Sequence, residues 1–249
     1  MKWGEFMNYV PEHFYNKSNY YPYYTSPHLK WGYNKNAVYS QASSCYCKKS
    51  FLRILNTFET AVDVHVNEII MAENLKNYEF TRYAKFEPGT YEVKIYESGD
   101  SKKLIFESNI DIQRNLSYMG VISEDEADPS DISVLMIPEA KENAIKGRMS
   151  AIRLTNLATD APDLELVTSD GTVLFSGVNY GEVSNNVAVP SGRYTVTLRE
   201  KSNKNSVKSM NVDFAPRMHY TLFVAGKYSD DPDVKIIIPE DGVNYLELC

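Results

Sequence analysis

The chain has 249 residues, 43% of them hydrophobic and 24% charged, the composition of a folded globular protein with room for about two domains of ~100–150 residues each. Lys and Arg number 26 against 33 Asp and Glu, and the net charge of −7 argues against nucleic acid or another polyanion as partner. No stretch approaches the ~20 apolar residues of a membrane helix and the N-terminus lacks the apolar core of a secretory signal, so the expectation is a chain made in the cytosol with no membrane insertion.

Residues 1–48 differ in material from the rest. They hold 13 of the 31 aromatic residues (nine Tyr, two Trp, two Phe) and carry five Lys against two Glu, which leaves residues 49–249 at −10. With almost no Leu, Ile or Val, the segment lacks the aliphatic side chains for a core of its own and reads as an extended N-terminal arm. It also echoes itself, since Lys2-Trp3-Gly4 returns as Lys30-Trp31-Gly32. Its aromatics, Trp3, Phe6, Tyr20, Tyr21, Tyr23, Tyr24 and Trp31, are candidates for an assembly contact. Such a peptide can add to an exposed sheet edge and bury much area at small entropic cost.

The remainder is a tandem repeat. Arg53-Ile54-Leu55-Asn56 through Ala61-Val62-Asp63-Val64 aligns with Arg153-Leu154-Thr155-Asn156 through Ala161-Pro162-Asp163-Leu164, one hundred positions on. Further along, the Pro88-Gly89-Thr90-Tyr91 segment corresponds to the one from Pro190 to Tyr194, Tyr118 to Tyr220, and Pro138-Glu139 to Pro239-Glu240. Within each unit the apolar period is two, as in Val62, Val64 and Val66 or Tyr194, Val196 and Leu198, which is the signature of half-buried strands. Turn residues such as Ser98-Gly99-Asp100 and Ser169-Asp170-Gly171 recur every 8–12 residues or so. Glu139 to Arg148 reads as a short helix or linker. The expected architecture is all-β: an arm over 1–48, then two immunoglobulin-like antiparallel β-sandwiches over 49–145 and 146–249, each of about seven strands.

These motifs, Arg-hydrophobic-x-Asn, Ala-x-Asp-hydrophobic, Pro-x-Gly-x-Tyr and the later Tyr118 or Tyr220, resemble a bacterial family catalogued as domain of unknown function 4397. The resemblance covers about residues 51–245 and implies tandem sandwiches on cell-envelope or exported proteins, with no activity attached. The added Tyr-rich leader resembles coat or appendage proteins of spore-forming clostridia, which implies deposition on the spore surface without a secretory signal.

No nucleophile, zinc, phosphate-loop or dinucleotide signature is present, so neither an enzyme nor a cofactor is expected. His65, between two core valines, and His219, at a strand start, both read as exposed strand histidines. Asp128 and Asp131 in one acidic loop, and Asp231 and Asp233 in its counterpart, are weak calcium candidates whose ordinary role is turn formation. Asp63 and Asp163 stand at equivalent strand starts, where a carboxylate anchors a turn by bonding backbone amides.

Cys45, Cys47 and Cys249 leave at least one thiol unpaired within a monomer, and a Cys45–Cys47 bond would close a strained ring. One set precedes the first repeat and the other follows the second, so a head-to-tail contact between subunits could join them by disulfides. The expected function is a structural subunit of a spore surface layer or appendage, with itself and other coat proteins as partners. The alternative is a surface-associated binding module for carbohydrate or a coat protein.

Overall fold

Alternating side chains give a strand two faces, and each strand of the first repeat has a counterpart in the second. The computed structural model describes residues 49–67, 69–128, 130–140, 145–229 and 234–248. The first repeat comprises β1 (Ser50–Asn56), β2 (Val62–Val66), β3 (Ile69–Leu75), β4 (Ala84–Phe86), β5 (Gly89–Glu97), β6 (Leu104–Ile112), β7 (Ser117–Glu124) and β8 (Ile132–Pro138). The second comprises β9 (Met149–Asn156), β10 (Leu164–Thr168), β11 (Val173–Ser176), β12 (Val187–Pro190), β13 (Gly192–Glu200), β14 (Ser206–Phe214), β15 (His219–Ala225) and β16 (Lys235–Ile237). A 3-10 turn over Gly242–Asn244 follows. Each repeat thus has eight strands, one more than the turn punctuation suggests. No helix forms among the described residues of the connection after Glu139.

Each repeat is a sandwich of two four-stranded sheets. The sheet orders are β4-β1-β7-β8 with β3-β2-β5-β6, and β12-β9-β15-β16 with β11-β10-β13-β14. Pairing is antiparallel except for β1 beside β7 and β9 beside β15, which run parallel, with Ile54 opposite Gly120 and Ile152 opposite Tyr220. A parallel pair requires a crossover, and here the chain supplies it by visiting the facing sheet in between. Gly120 is small because an added Cβ would meet Ile54 Cδ1 at 3.0 Å.

One face of every strand fills its own repeat's core. Leu52, Ile54, Val64, Val93, Ile95 and Ile110 close the first core, and Ile152, Leu154, Leu166, Val196, Leu198 and Phe214 the second. The repeated motifs act as staples. Asn56 Nδ2 donates to the carbonyls of Thr60 and Leu75, both at 2.9 Å, and Asn156 Nδ2 donates to Val178 O at 3.2 Å, so each Asn ties down the loop behind its strand. Ser50 and Ser150 donate to the carbonyls of Gln113 (2.7 Å) and Ala215 (2.8 Å). Tyr118 and Tyr220 accept from the amides of Gln113 (3.4 Å) and Ala215 (3.1 Å), the tyrosine-corner arrangement of such sandwiches.

Asp63 behaves as expected, accepting the Asn74 amide at 2.7 Å and the Gly99 amide at 3.1 Å. Asp163 differs in its side-chain partner: it pairs with Lys201 Nζ at 2.9 Å, leaving the backbone amide of Lys201 to its main-chain carbonyl.

Candidate functional site

The odd positions of β1 and their counterparts point away from their own core, and the structure shows where they go. Leu55, Met119, Val121, Leu135 and Ile137 of the first repeat pack against Leu157, Phe223 and Ala225 of the second in a separate apolar cluster. The inner sheets β4-β1-β7-β8 and β12-β9-β15-β16 therefore meet face to face, and the seam between them is the main structural feature that sequence reasoning missed. Its signal lay in β7 and β15, whose side chains are buried at nearly every position instead of alternately.

At one end of the seam the same outward positions are polar. Arg53, only 3% exposed, donates through Nη2 to Glu139 Oε1 at 2.9 Å and to the Glu240 carbonyl of the other repeat at 2.8 Å. Its guanidinium lies 4.5 Å from the Tyr83 ring centroid. Glu139 also accepts the Tyr83 hydroxyl and, at 2.7 Å, the amide of Gly242. The counterpart Arg153 donates to Thr221 Oγ1 at 2.8 Å and to the Pro138 carbonyl of the first repeat at 2.7 Å, with Asp241 3.5 Å away. Asp241 accepts Thr221 Oγ1 at 2.7 Å and the Ala140 amide at 3.2 Å. Each motif arginine thus grips the strand exit of the opposite repeat.

Burial opposes the charge on Arg53, but Tyr83 and Glu139 around it outweigh that opposition and hold the guanidinium more firmly protonated than usual. Burial, aided by the Glu139 charge, pushes the Tyr83 hydroxyl well above its ordinary range. His219 corrects the sequence expectation: it is 6% exposed, and neither ring nitrogen has a hydrogen-bond partner. It faces the seam because β15 is covered on both sides, and burial lowers its pKa, with Asp241 opposing. His65, on a strand covered on one side only, is half-buried between the buried Val64 and Val66.

Beyond the ends of β1 and β9 the seam opens into a cleft of about 220 Å³ lined by Glu59, Asn77, Tyr78, Glu124, Leu157 and Lys227 among others. Lys227, from the second repeat, bridges Glu59 at 2.6 Å and Glu124 at 3.2 Å in the first. The hydrogen bonds it donates to Glu59 and then Glu124 hold its ammonium protonated well past the usual range. Tyr180 donates to the Glu124 carbonyl at 2.5 Å, and burial pushes its hydroxyl up to about 12.

Of the residues singled out by sequence, Asp128 and Asp131 lie in the exposed β7–β8 loop. Asp128 Oδ1 accepts the Ser130 hydroxyl at 2.7 Å and the Ser130 amide at 3.0 Å, and these bonds hold its carboxyl below the usual range. Asp131 gives its amide to the Asp128 carbonyl at 2.9 Å, so the loop carboxylates shape a turn. Among the described residues no three metal-ligating side chains converge. Asp231, Asp233, Cys45, Cys47, Cys249 and the arm aromatics lie outside the described residues. The chain's described ends do meet, with Lys49 Nζ 3.9 Å from Glu247 Oε2.

No curated protein sequence matches the chain. Among solved structures, the TIE protein of Bacillus anthracis aligns with 10% identity over 72% of this chain and 34% of its own, at a TM-score of 0.23, so the chain spans about a third of that protein. The family 26 carbohydrate-binding module CBMbc of Eubacterium rectale Amy13K, solved in complex with maltoheptaose, aligns with 10% identity over 76% of this chain and 95% of its own, at a TM-score of 0.24. Scores this low carry no inference about either fold or ligand. The sequence profile of the domain of unknown function 4397 (DUF4397) matches twice, over residues 50–167 and 150–244, and with both repeats covered the chain belongs to that family.

Proposed function

We propose that this protein is a non-catalytic structural subunit that assembles into a surface layer or appendage, its N-terminal arm joining one subunit to the next. The observation that carries this reading is the division of labour between sheets. The seam consumes the inner sheets, whereas the outer sheets end in the nine-residue strands β6 and β14, whose far edges pair with no strand among the described residues. A long open edge is a template for an added strand. The arm of 48 residues enters at Lys49, carries +3 against a body of −10, and has the Tyr, Asn and Ser content of an adhesive strand. We place that assembly on a spore surface because a Tyr-rich leader stands ahead of the two repeats.

The test is sedimentation and negative-stain microscopy of the full chain beside a form beginning at Lys49. Multimers from the full chain and folded β-rich monomers from the shortened one are expected. Monomers from both at high concentration would overturn the reading.

A second reading, a binding module, is favoured by the cleft. Lys227, Glu59, Glu124 and Asn77 offer donors and acceptors beside the Tyr78 ring, a mixture suited to a hydroxyl-rich ligand. It calls for a monomer whose glycan or coat-protein binding is lost in Lys227→Ala.

A further inference from the structure

We infer that the seam is an exchangeable interface whose other partner is a second copy of this chain: the first repeat of one molecule closes on the second repeat of the next. This goes beyond the role proposed for the arm, because it uses only surfaces that already face each other in the folded chain.

The polar contacts across the seam come in reciprocal pairs. Ser117 and His219 open β7 and β15, and their carbonyls accept the amides of Glu139 (2.8 Å) and Asp241 (3.0 Å), so Asp241 is the structural counterpart of Glu139. With that correspondence each grip has its answer. Arg53 bonds the carbonyl of Glu240, the residue before Asp241, at 2.8 Å, and Arg153 bonds the carbonyl of Pro138, the residue before Glu139, at 2.7 Å. Glu139 Oε2 accepts the amide of Gly242, which follows Asp241, at 2.7 Å, and Asp241 Oδ2 accepts the amide of Ala140, which follows Glu139, at 3.2 Å. Contacts that repeat with the partners interchanged are the pattern of an isologous interface between two subunits. Two chains satisfy that pattern equally by closing each on itself or by trading repeats.

Each repeat keeps its own core through such a trade. The first core draws only on residues of the first repeat and the second only on residues of the second. The apolar part of the seam, with Val121 and Phe223, is a separate cluster. Its polar end leaves Arg53 Nε, Arg153 Nη2 and both ring nitrogens of His219 buried without hydrogen-bond partners, and wetting these groups offsets part of the cost of opening. Eight residues, 141–148, join Ala140 to Met149 and span up to about 28 Å when extended, so the repeats are tethered and not fused.

The tether sets the balance between the two closures. A short flexible linker holds its ends at an effective concentration in the millimolar range, so a dilute chain closes on itself. In a packed layer or appendage, where chains stand at comparable concentration, the same seam closes between neighbours. Reciprocal exchange gives a closed dimer, and exchange passed from chain to chain gives an open row. Every link of such a row carries a complete seam, and the arms are left to tie rows together.

The experiment uses the ion pair that spans the seam as a zero-length cross-link. Lys227 Nζ lies 2.6 Å from Glu59 Oε1, close enough for a carbodiimide to join the two side chains as an amide. Unlabelled and isotope-labelled full-length chains are unfolded together in urea, refolded at micromolar and at about millimolar concentration, and cross-linked. Mass spectrometry then reads the linked Lys227–Glu59 peptides. Like-isotope pairs at the low concentration, and mixed pairs rising toward half of the total at the high one, are expected. Like-isotope pairs alone at both concentrations would overturn the inference, and multimers that contain only such pairs would do so while leaving the arm proposal standing. Mixed pairs confined to a dimer would uphold the exchange and leave the arm unsupported.

Two variants give an independent reading. Val121→Asp and Phe223→Asp each spoil one face of the seam by burying a charge there, outside either core. Mixing them brings an intact first-repeat face to an intact second-repeat face, and light scattering should show a one-to-one complex that neither variant forms alone. No new complex on mixing, with both variants β-rich by circular dichroism, would count against the exchange as decisively as unmixed isotopes.

Discussion

The inner and outer sheets of the same repeat obey different rules. In β15 all seven residues are buried, whereas every side chain of β14 before Phe214 is exposed or half-buried. The strands come from the same repeat, and what separates them is a second neighbour: β15 has its own core behind it and the other repeat in front. The comparison teaches that the repeats are not beads on a string. Each completes the other, and the motif arginines that define the repeat unit are contacts between units.

The sharpest way to break that comparison is to remove a motif arginine. Arg53→Ala leaves Glu139 and Tyr83 buried without their cation, and losing one partner of a buried ion pair costs about 3–5 kcal/mol. Urea unfolding should show this loss, and a double replacement, Arg53→Met with Glu139→Gln, should cost less than the single one because no charge is then stranded. A cost of only a few tenths, typical of a surface pair, would return Arg53 to the outside of an independent module.

Much of this was open to reading in the sequence and some was not, for a physical reason. The repeat, the strands and the anchoring role of Asp63 follow from local periodicity and turn chemistry, which depend on neighbours along the chain. Arg53 and Arg153 stood out as motif residues, but their role depends on Glu240 and Pro138 across the seam, partners that no local pattern names. His219 shows the same limit. A histidine at a strand start reads as exposed when one face of the sheet is assumed to be wet, and here both faces are covered. The unbroken apolar run Leu222-Phe223-Val224-Ala225, set against the alternation of Val62–Val66, was the available clue that the inner sheets are buried twice.

An apolar seam residue offers the next test. Phe223, 1% exposed, points away from its own core into the seam, and Phe223→Ala should cost about 3–5 kcal/mol by leaving a cavity there. Phe214→Ala, inside the second core, should cost about as much. Denaturant midpoints for the two variants decide the point, since independent sandwiches would make the Phe223 change nearly silent. The m-value sharpens it further: one transition for the whole of 49–248 means that the repeats unfold together, and two mean that the seam opens first.

A smaller effect is expected from acid. His219 has its pKa lowered by burial, with Asp241 and Arg153 pulling in opposite directions beside it. The unfolded chain takes up this proton near pH ~6.5 and the folded chain only at lower pH, so the histidine's contribution is fully present above that value. Stability declines as the pH falls through the interval below it, because the unfolded state then binds the extra proton. Urea midpoints at about pH 7.5 and about pH 5.5 should differ more for the natural chain than for His219→Gln, which carries no titrating ring. Equal differences would mean that the ring is solvated and that the seam admits water at this end.

The least effect belongs to the outer sheet, and its smallness is what the comparison requires. Thr197 and Ser209 face each other across β13 and β14 at 2.9 Å, and Thr195 donates to Asn211 Oδ1 at 2.8 Å, all on the exposed face. Thr197→Ala gives up one solvent-exposed hydroxyl contact and some strand propensity, so it should shift stability by no more than about 0.5 kcal/mol. Assembly gives the same substitution a second use. If β14 receives an arm along its free edge, backbone bonds carry the contact and Thr197→Ala leaves the multimers intact, whereas Asn211→Pro on the edge strand itself reduces them by removing a backbone donor. Loss of multimers with Thr197→Ala would shift the contact from the edge of the outer sheet to its face.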